Sequence, residues 1–417
     1  MTLENPAGGH PVALTEAIDL SVVGGRPIVK RPHVLADGRE LVYYDDADTV
    51  LAPFRAPDER LLDPRPPTAV MRRDVLTDEW ISIAAARNNR VFLPPANLDP
   101  LAPQAPDNPS EVPSLYDVAV FENRSPSFGP ELAHTGAVGA AAGADAGAGA
   151  GAGTGADAGA SAGAAAAPGD EPLALGQSRA SVGRCEVVCF SPEREGSFGT
   201  LGTSRARTVI EAWADRTAVL QALAGVEQVF VFENRGEQVG VTLHHPHGQI
   251  YSYPFVTPRT RQLIASLDAY GPTMFADILA FEQAGERMIV QGEHWSAFVP
   301  FAARWPIEVH VLPHRQIPDL AATNSAERDE LAVLYPRVLR ALDRLYPTPT
   351  PYIAGWHQAP VSSHRDDMRL MLQVTSPRRA ADRLKFLAGS ESAMGAFIGD
   401  VPPEVTAHNL REALDRE

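Results

Sequence analysis

The order of the secondary-structure signals in this chain occurs twice, and this repetition limits the possible folds more than any other feature. The first copy consists of a predicted strand at 184–190, a proline corner and an amphipathic helix at roughly 206–223. The second copy has a strand at 306–312, another proline corner and a helix at roughly 325–345. Two further strands follow each helix. The pattern predicts two fused α+β halves, each an antiparallel sheet with a helix packed on it.

The remaining segments define the predicted domain boundaries. Residues 1–60 are polar and interrupted, which predicts an N-terminal arm whose patterned stretch at 39–46 is an edge strand. The first half then covers 61–255 and the second half covers 256–417. Residues 135–169 are almost entirely alanine and glycine. Each glycine costs about 1 kcal/mol in a helix and few large side chains are available for burial, so this segment is predicted to be a disordered insert.

Charge and cysteine content exclude several classes of function. The chain has 36 basic and 52 acidic residues, a net charge of −16, which argues against binding nucleic acids or anionic membranes. An anionic ligand would need a local cluster of arginine or lysine. Cys185 and Cys189 cannot form a disulfide framework, and they are predicted to be buried thiols. Neither an export signal nor a membrane span is visible, so a cytoplasmic location is expected.

The strongest chemical signal is a cluster of histidines followed by a glycine and an amide. Three of the twelve histidines fall within four positions, and the run ends in His245-Pro246-His247-Gly248-Gln249. On an extended segment His245 and His247 would share one face. Pro246 restricts the backbone between them, and Gly248 would let a ligand approach the main chain. The pattern suits metal binding or phosphoryl chemistry. The alternative is a polar edge strand with incidental histidines.

Several motifs in the same order resemble the galactose-1-phosphate uridylyltransferase family of the histidine-triad superfamily. They lie at 232–236, 245–249, 305–308, 355–357 and 385–391. The resemblance covers nearly all of the chain outside the arm and the insert. It implies two fused histidine-triad-like halves that form one nucleotidyltransferase unit, and it implies a homodimer.

The resemblance also implies a reaction. His247 matches the family nucleophile, which attacks the α-phosphorus of UDP-glucose, expels glucose-1-phosphate and leaves a uridylyl-histidine. A second hexose-1-phosphate, typically galactose-1-phosphate, then accepts the uridylyl group in a ping-pong cycle. A neutral imidazole is nucleophilic near pH 7, which suits this role. Gln249 matches the family glutamine that hydrogen-bonds the phosphoryl group.

Further family positions are implied to contact the nucleotide sugar or the hexose phosphate. They are Arg87, Arg90, Asn123, Asn234, Thr242, His245, Lys385 and Glu391. The arginine fork suits phosphate oxygens, although a solvated arginine pair on a loop is the alternative. In the family, the residues that Lys385 and Glu391 match reach the site from the partner subunit.

The sequence departs from the family at its metal ligands. The family's zinc Cys-x-x-Cys stretch matches a segment with Ala102 and Ala105, and the further ligand position falls at Arg194. Only His245 remains, and one imidazole does not make a tetrahedral zinc site. We therefore expect no zinc.

The family's second, iron-type site uses a glutamate and three histidines. Its histidine positions fall at His357, Met371 and Gln373, and no glutamate occurs between Gln249 and Glu282. We expect this site to hold no metal either, so no cofactor is predicted.

Three functions follow from these observations. The leading hypothesis is a UDP-glucose:hexose-1-phosphate uridylyltransferase that acts through a covalent intermediate. A second is a metal-free paralogue with another sugar phosphate or phosphate acceptor, because the family usually has other residues at Ala86, Val241 and Ser390. A third is a non-catalytic nucleotide-sugar binder.

Overall fold

The structure is a computed structural model that describes residues 16–89, 94–132 and 173–416. The predicted insert at 135–169 and Arg90 lie outside the described residues. No helix within these ranges is long and apolar enough to cross a membrane.

Short strands dominate the described chain. In chain order they are β1 Ile18–Val23, β2 Arg26–Val34, β3 Glu40–Asp45, β4 Val70–Asp74, β5 Glu79–Ile83, β6 Val118–Glu122, β7 Ser178–Ala180, β8 Arg184–Cys189, β9 Gln228–Arg235, β10 His247–Tyr253, β11 Met288–Gln291, β12 Trp295–Phe298, β13 Ile307–Pro313, β14 Tyr352–His357, β15 Met371–Ser376, β16 Arg378–Ala380 and β17 Arg383–Leu384.

The helices are fewer and longer. They are α1 Thr203–Gln221, α2 Pro258–Tyr270, α3 Met274–Gln283, α4 Ser325–Asp343, α5 Gly389–Met394 and α6 Pro403–Asp415. Helices α1 and α4 fall close to the two predicted helices. The start of α4 is fixed by a capping box, in which Asn324 accepts from the Glu327 N–H and Glu327 accepts from the Asn324 N–H.

Twelve strands of the described chain form one antiparallel sheet in the order β1-β2-β3-β6-β8-β10-β9-β14-β15-β13-β12-β11. The predicted α+β class with two antiparallel halves is confirmed, and the halves join through the pairing of β9 with β14. Strands β5-β4-β7 form a small separate sheet.

The predicted N-terminal arm differs from the structure over residues 18–45. These residues contribute β1, β2 and β3 to the large sheet, and β3 pairs with both β2 and β6. The prediction of an edge strand at 39–46 is therefore wrong. The apolar residues of β3 are buried on both faces of the sheet. The polar, interrupted sequence around β3 gave no indication of this central position.

The main core lies between the sheet and helices α1 and α4. Phe190 and Phe198 pack edge to face, and Phe198 stacks on Trp213 and contacts Tyr335. These aromatic side chains bury large apolar areas and fix the helical layer against the central strands. On the opposite face, part of β6 and β8 packs in a smaller core with Leu101, Val112 and Tyr116, and a pocket lies beside this core. Cys185 and Cys189 are buried free thiols on β8, as predicted.

Candidate active site

A pocket of about 420 Å³ lies where the central strands β6, β8, β10 and β9 carry side chains away from the helices. Its floor includes Gln249, which is paired across the sheet with Val187 on one side and Phe232 on the other. Alternation along the strands sends these side chains to the same face. Loop residues 100–101 and 240–243 form another wall.

The same tetrapeptide, Phe-Glu-Asn-Arg, occurs at 121–124 and at 232–235. Both copies lie at strand ends, and their phenylalanines and asparagines all line the pocket. The two copies flank β8 and β10 in the sheet order, so they face each other across the site. The pocket thus gathers Asn123 and Asn234, as predicted. The Oδ1 atom of Asn234 is buried and has no hydrogen-bond partner among the described residues.

His247 lines this pocket at the first residue of β10. Its Nδ1 lies 2.7 Å from the carbonyl oxygen of His245. Because a carbonyl only accepts, Nδ1 carries the proton and the lone pair of the neutral ring is on Nε2. The backbone therefore fixes the tautomer in which Nε2 can act as a nucleophile.

The predicted reason for Gly248 is wrong. A side chain at this position would not meet a ligand, because it would point into the core. An added Cβ would lie 2.9 Å from the Phe190 ring and 2.9 Å from the Phe232 carbonyl oxygen. The glycine is required by close packing between β9 and the aromatic core.

Among the described residues, three arginines bring positive charge to the pocket. Arg87 follows the small sheet on a short 3₁₀ turn, and its Nη1 is buried with no hydrogen-bond partner in the described part of the chain. Arg39 is fully buried and donates to the Glu111 carboxylate at 2.6 Å, so its charge is largely compensated. Arg124 lines the wall and donates to the Asp63 carbonyl at 2.8 Å. Of these, Arg87 has the most unsatisfied hydrogen-bonding capacity for an anion.

His245 does not line the pocket with His247, contrary to the expectation that the two would share a face. It precedes β10 and is only 2% exposed. Its Nδ1 lies 2.8 Å from Asp99 Oδ2, and its Nε2 lies 2.7 Å from the Ser191 carbonyl oxygen. Strand alternation does not apply before the strand begins, so sequence spacing could not place this ring.

The residues at the position of the family's zinc do not fit a tetrahedral metal site. Both ring nitrogens of His245 are engaged by protein oxygens, and Ala102 and Ala105 supply no ligand atom. Burial acts to raise the pKa of Asp99, but His245, the Leu101 N–H and the Arg194 guanidinium together hold the pKa of this carboxyl below its usual value. Within the described ranges, no group of three or more His, Cys, Asp or Glu side chains could hold a metal.

At the position of the family's second metal, the side chains form hydrogen bonds with one another. His357 Nε2 lies 3.0 Å from Gln373 Oε1, and Gln373 Nε2 donates to Glu308 at 2.7 Å. Glu308 also lies 3.0 Å from His310 Nε2. Burial lowers the pKa of His357 to about 4, so this ring is neutral near pH 7. These groups satisfy one another, and they do not offer a metal the ligand set that the family uses.

The structure gathers most, but not all, of the predicted site. His247, Gln249, Arg87, Asn123, Asn234 and Thr242 line one pocket. Lys385 and Glu391 lie elsewhere and form a buried ion pair with each other at 2.7 Å. Of the three altered family positions, only Val241 lines the pocket.

The sequence interpretation missed Arg39, Glu111, Arg124 and Tyr251, which also line the pocket. The repeated Phe-Glu-Asn-Arg tetrapeptide was a signal for Arg124, because the copy at 232–235 had already been singled out. No local pattern identified Arg39 or Glu111, which reach the site through pairing of distant segments.

Comparison with known proteins places this fold and site in one family. The family model described as "Galactose-1-phosphate uridyl transferase, N-terminal domain" matches residues 166–257, and the one described as "Galactose-1-phosphate uridyl transferase, C-terminal domain" matches residues 260–415. A galactose-1-phosphate uridylyltransferase of Streptomyces lividans is 39% identical over 91% of this chain and 97% of its own length. The Thermotoga maritima enzyme of the same name is 30% identical over 82% and 98%.

Structural comparison agrees with the sequence relationship. A solved structure titled "Structure of uridylyltransferase" superposes with a TM-score of 0.67 and 28% identity. The match covers 83% of this chain and 99% of the other.

Proposed function

Because the chain belongs to the galactose-1-phosphate uridylyltransferase family, we propose that it transfers a uridylyl group from UDP-glucose to galactose-1-phosphate. The observation that carries this proposal is the hydrogen bond between His247 Nδ1 and the His245 carbonyl. It leaves the lone pair of a neutral imidazole on Nε2, in a pocket that also contains Gln249 and Arg87.

The reaction has two half-reactions of the same kind. In the first, Nε2 of His247 forms a bond to the α-phosphorus of UDP-glucose. The bond from that phosphorus to the bridging oxygen breaks, and glucose-1-phosphate leaves with the electron pair. In the second, a phosphate oxygen of galactose-1-phosphate attacks the same phosphorus and the phosphorus–nitrogen bond breaks. The imidazole returns to its starting tautomer, which gives ping-pong kinetics.

The pocket supplies the groups that this chemistry needs. Arg87 presents a guanidinium N–H that can donate to a phosphate oxygen, and Gln249 can donate its amide without adding charge. The unpaired Oδ1 of Asn234 can accept a hydrogen bond from the bound substrate. A local guanidinium thus offsets the overall charge of −16.

We also propose that the protein works without a bound metal and as a homodimer. Hydrogen bonds occupy the donor atoms at both family metal positions, which supports the first point. The second is supported by large apolar side chains exposed around the Lys385–Glu391 pair, among them Phe386 at 77%, Met394 at 80% and Ile398 at 60%. A second copy of the chain would cover this surface. The cytoplasmic location and the absence of nucleic-acid and membrane partners remain predictions.

The test of the transfer reaction is direct detection of the intermediate. The full-length protein is incubated with UDP-glucose labelled in the uracil, and intact-protein mass spectrometry should show an acid-labile, base-stable uridylyl adduct. His247→Ala should abolish the adduct, whereas His245→Ala should weaken it. The reverse ranking would contradict the assignment of the nucleophile.

The remaining outcomes separate the other hypotheses. UDP-glucose binding without an adduct would favour the non-catalytic binder. An adduct that galactose-1-phosphate does not discharge would favour a different acceptor, and Val241 is the altered position that lines the pocket. His247→Ala with retained UDP-glucose binding is the matched control for the first of these outcomes.

A further inference from the structure

Asp99 lies directly behind the site and binds the side chain of His245. The two residues are 4% and 2% exposed, and Asp99 Oδ2 lies 2.8 Å from His245 Nδ1. The other carboxylate oxygen of Asp99 accepts the Leu101 N–H at 3.0 Å. A buried carboxylate with both oxygens engaged can hold a neighbouring ring in one orientation.

The opposite edge of the His245 ring is held as well. Its Nε2 lies 2.7 Å from the Ser191 carbonyl oxygen and 3.1 Å from the Tyr116 hydroxyl. The Tyr116 hydroxyl oxygen lies 2.7 Å from the Leu101 carbonyl oxygen and 2.9 Å from the Ser191 carbonyl oxygen, and its single proton can be donated to either. The network therefore connects the loop at 99–101, the end of β8 and the residues that precede β10.

This network continues to His247 through the main chain. The His245 carbonyl is the acceptor for His247 Nδ1 at 2.7 Å, and only Pro246 separates the two residues. Proline fixes one of the two soft backbone dihedrals of that link. A displacement of the His245 ring would therefore shift the carbonyl that sets the orientation and tautomer of His247.

We propose that Asp99 is a positioning residue for the transfer reaction, acting through the buried His245 ring and the His245 carbonyl on His247. The carboxylate does not line the pocket, although its neighbours Pro100 and Leu101 do. Asp99 thus contributes the hydrogen bond that holds His245 where the family uses a metal. The inference rests on the proposed role of His247 as the nucleophile.

The test compares Asp99→Asn with Asn108→Ala in the full-length protein. Asn108 donates to the backbone carbonyl of Asp99 at 2.8 Å, so its replacement loosens the same loop without changing the carboxylate. We expect Asp99→Asn to slow adduct formation and lower kcat by about 10- to 100-fold, with KM for UDP-glucose changed less than about threefold. Asn108→Ala should keep kcat near the wild-type value.

Two further measurements keep the proposal falsifiable if Asp99→Asn folds poorly. Tyr116→Phe removes the hydroxyl contact with the other ring nitrogen at nearly constant volume, and we expect a smaller loss of kcat. Formate added to Asp99→Ala should restore part of the adduct rate, because a small carboxylate can replace the missing side chain.

The results distinguish this proposal from the proposed function. Wild-type rates in Asp99→Asn, or equal losses in Asp99→Asn and Asn108→Ala that track their melting temperatures, would overturn the positioning role. If the wild-type protein forms no adduct on His247, the proposed function fails instead.

Discussion

The buried carboxyl of Glu233, on a strand that lines the pocket, makes the stability of the protein depend on pH. Glu233 lies on β9 opposite Gly248 and faces the helical layer, where it is 4% exposed. The Tyr352 hydroxyl donates to it at 2.8 Å and the Tyr335 hydroxyl at 3.3 Å. Burial raises the pKa of Glu233 from 4.5 to about 7, despite the opposing effects of these hydroxyls and of Arg235.

The raised pKa makes the stability depend on pH in a definite direction. Below pH 4.5 the carboxyl is protonated in both the folded and unfolded states, and the stability associated with the proton is fully present. As pH rises towards about 7, the unfolded state ionises first and this stability is lost. The difference of 7 − 4.5 pKa units corresponds to roughly 3 kcal/mol of unfolding free energy.

Glu233→Gln should remove this dependence, because the amide does not ionise. Its oxygen can accept from one tyrosine hydroxyl, and its NH2 group can donate to the oxygen of the other. Urea unfolding of both proteins from pH 4 to pH 8 should show the variant gaining roughly 3 kcal/mol relative to the wild type, with the change complete near pH 7. A difference between the two proteins that stays constant with pH, or that changes in the opposite direction, would refute the reasoning.

Three further predictions follow from particular contacts. Gly248→Ala should lower the unfolding free energy measured in urea by about 1–3 kcal/mol, because the new Cβ would lie 2.9 Å from a backbone oxygen. The control Gly389→Ala should leave it unchanged, because no atom lies within 4 Å of the added Cβ. Treatment with EDTA should leave the melting temperature and adduct formation unchanged, and stoichiometric zinc in elemental analysis would contradict the metal-free proposal. Phe386→Glu should shift the protein from dimer to monomer in light scattering, because it places a charge on the exposed apolar surface; a wild-type protein that is already monomeric would exclude that interface.

Much of the second half could be predicted because its signals are local. The apolar periodicity of the helix predicted at 325–345 agrees with α4 at Ser325–Asp343. In the first half, the local His-Pro-His-Gly-Gln motif and the family resemblance that it carries indicated His247 and Gln249, and both line the pocket. These features depend on residues within a few positions of one another, so the sequence order contains them.

The N-terminal segment and the zinc position could not be predicted in the same way. Strands β1 to β3 join the large sheet through pairing with β6, more than seventy positions along the chain from β3. Asp99 contacts His245 from a proline-rich segment at 94–113, where the sequence has no helix or strand periodicity. Nothing local in either segment indicates its distant partner.

The sequence by itself determined the repeated architecture, the family and six of the residues that line the pocket, because motif order and short-range periodicity are properties of the linear chain. The tertiary structure decided the direction in which each side chain points and the groups that it contacts. At Gly248, a Cβ atom would point towards the aromatic core. The His245 ring lies outside the pocket, between a carboxylate oxygen of Asp99 and the carbonyl oxygen of Ser191. The tertiary structure also paired Lys385 with Glu391 away from the pocket. These outcomes depend on which segments pack together, and packing is set by burial and hydrogen bonding across the whole fold.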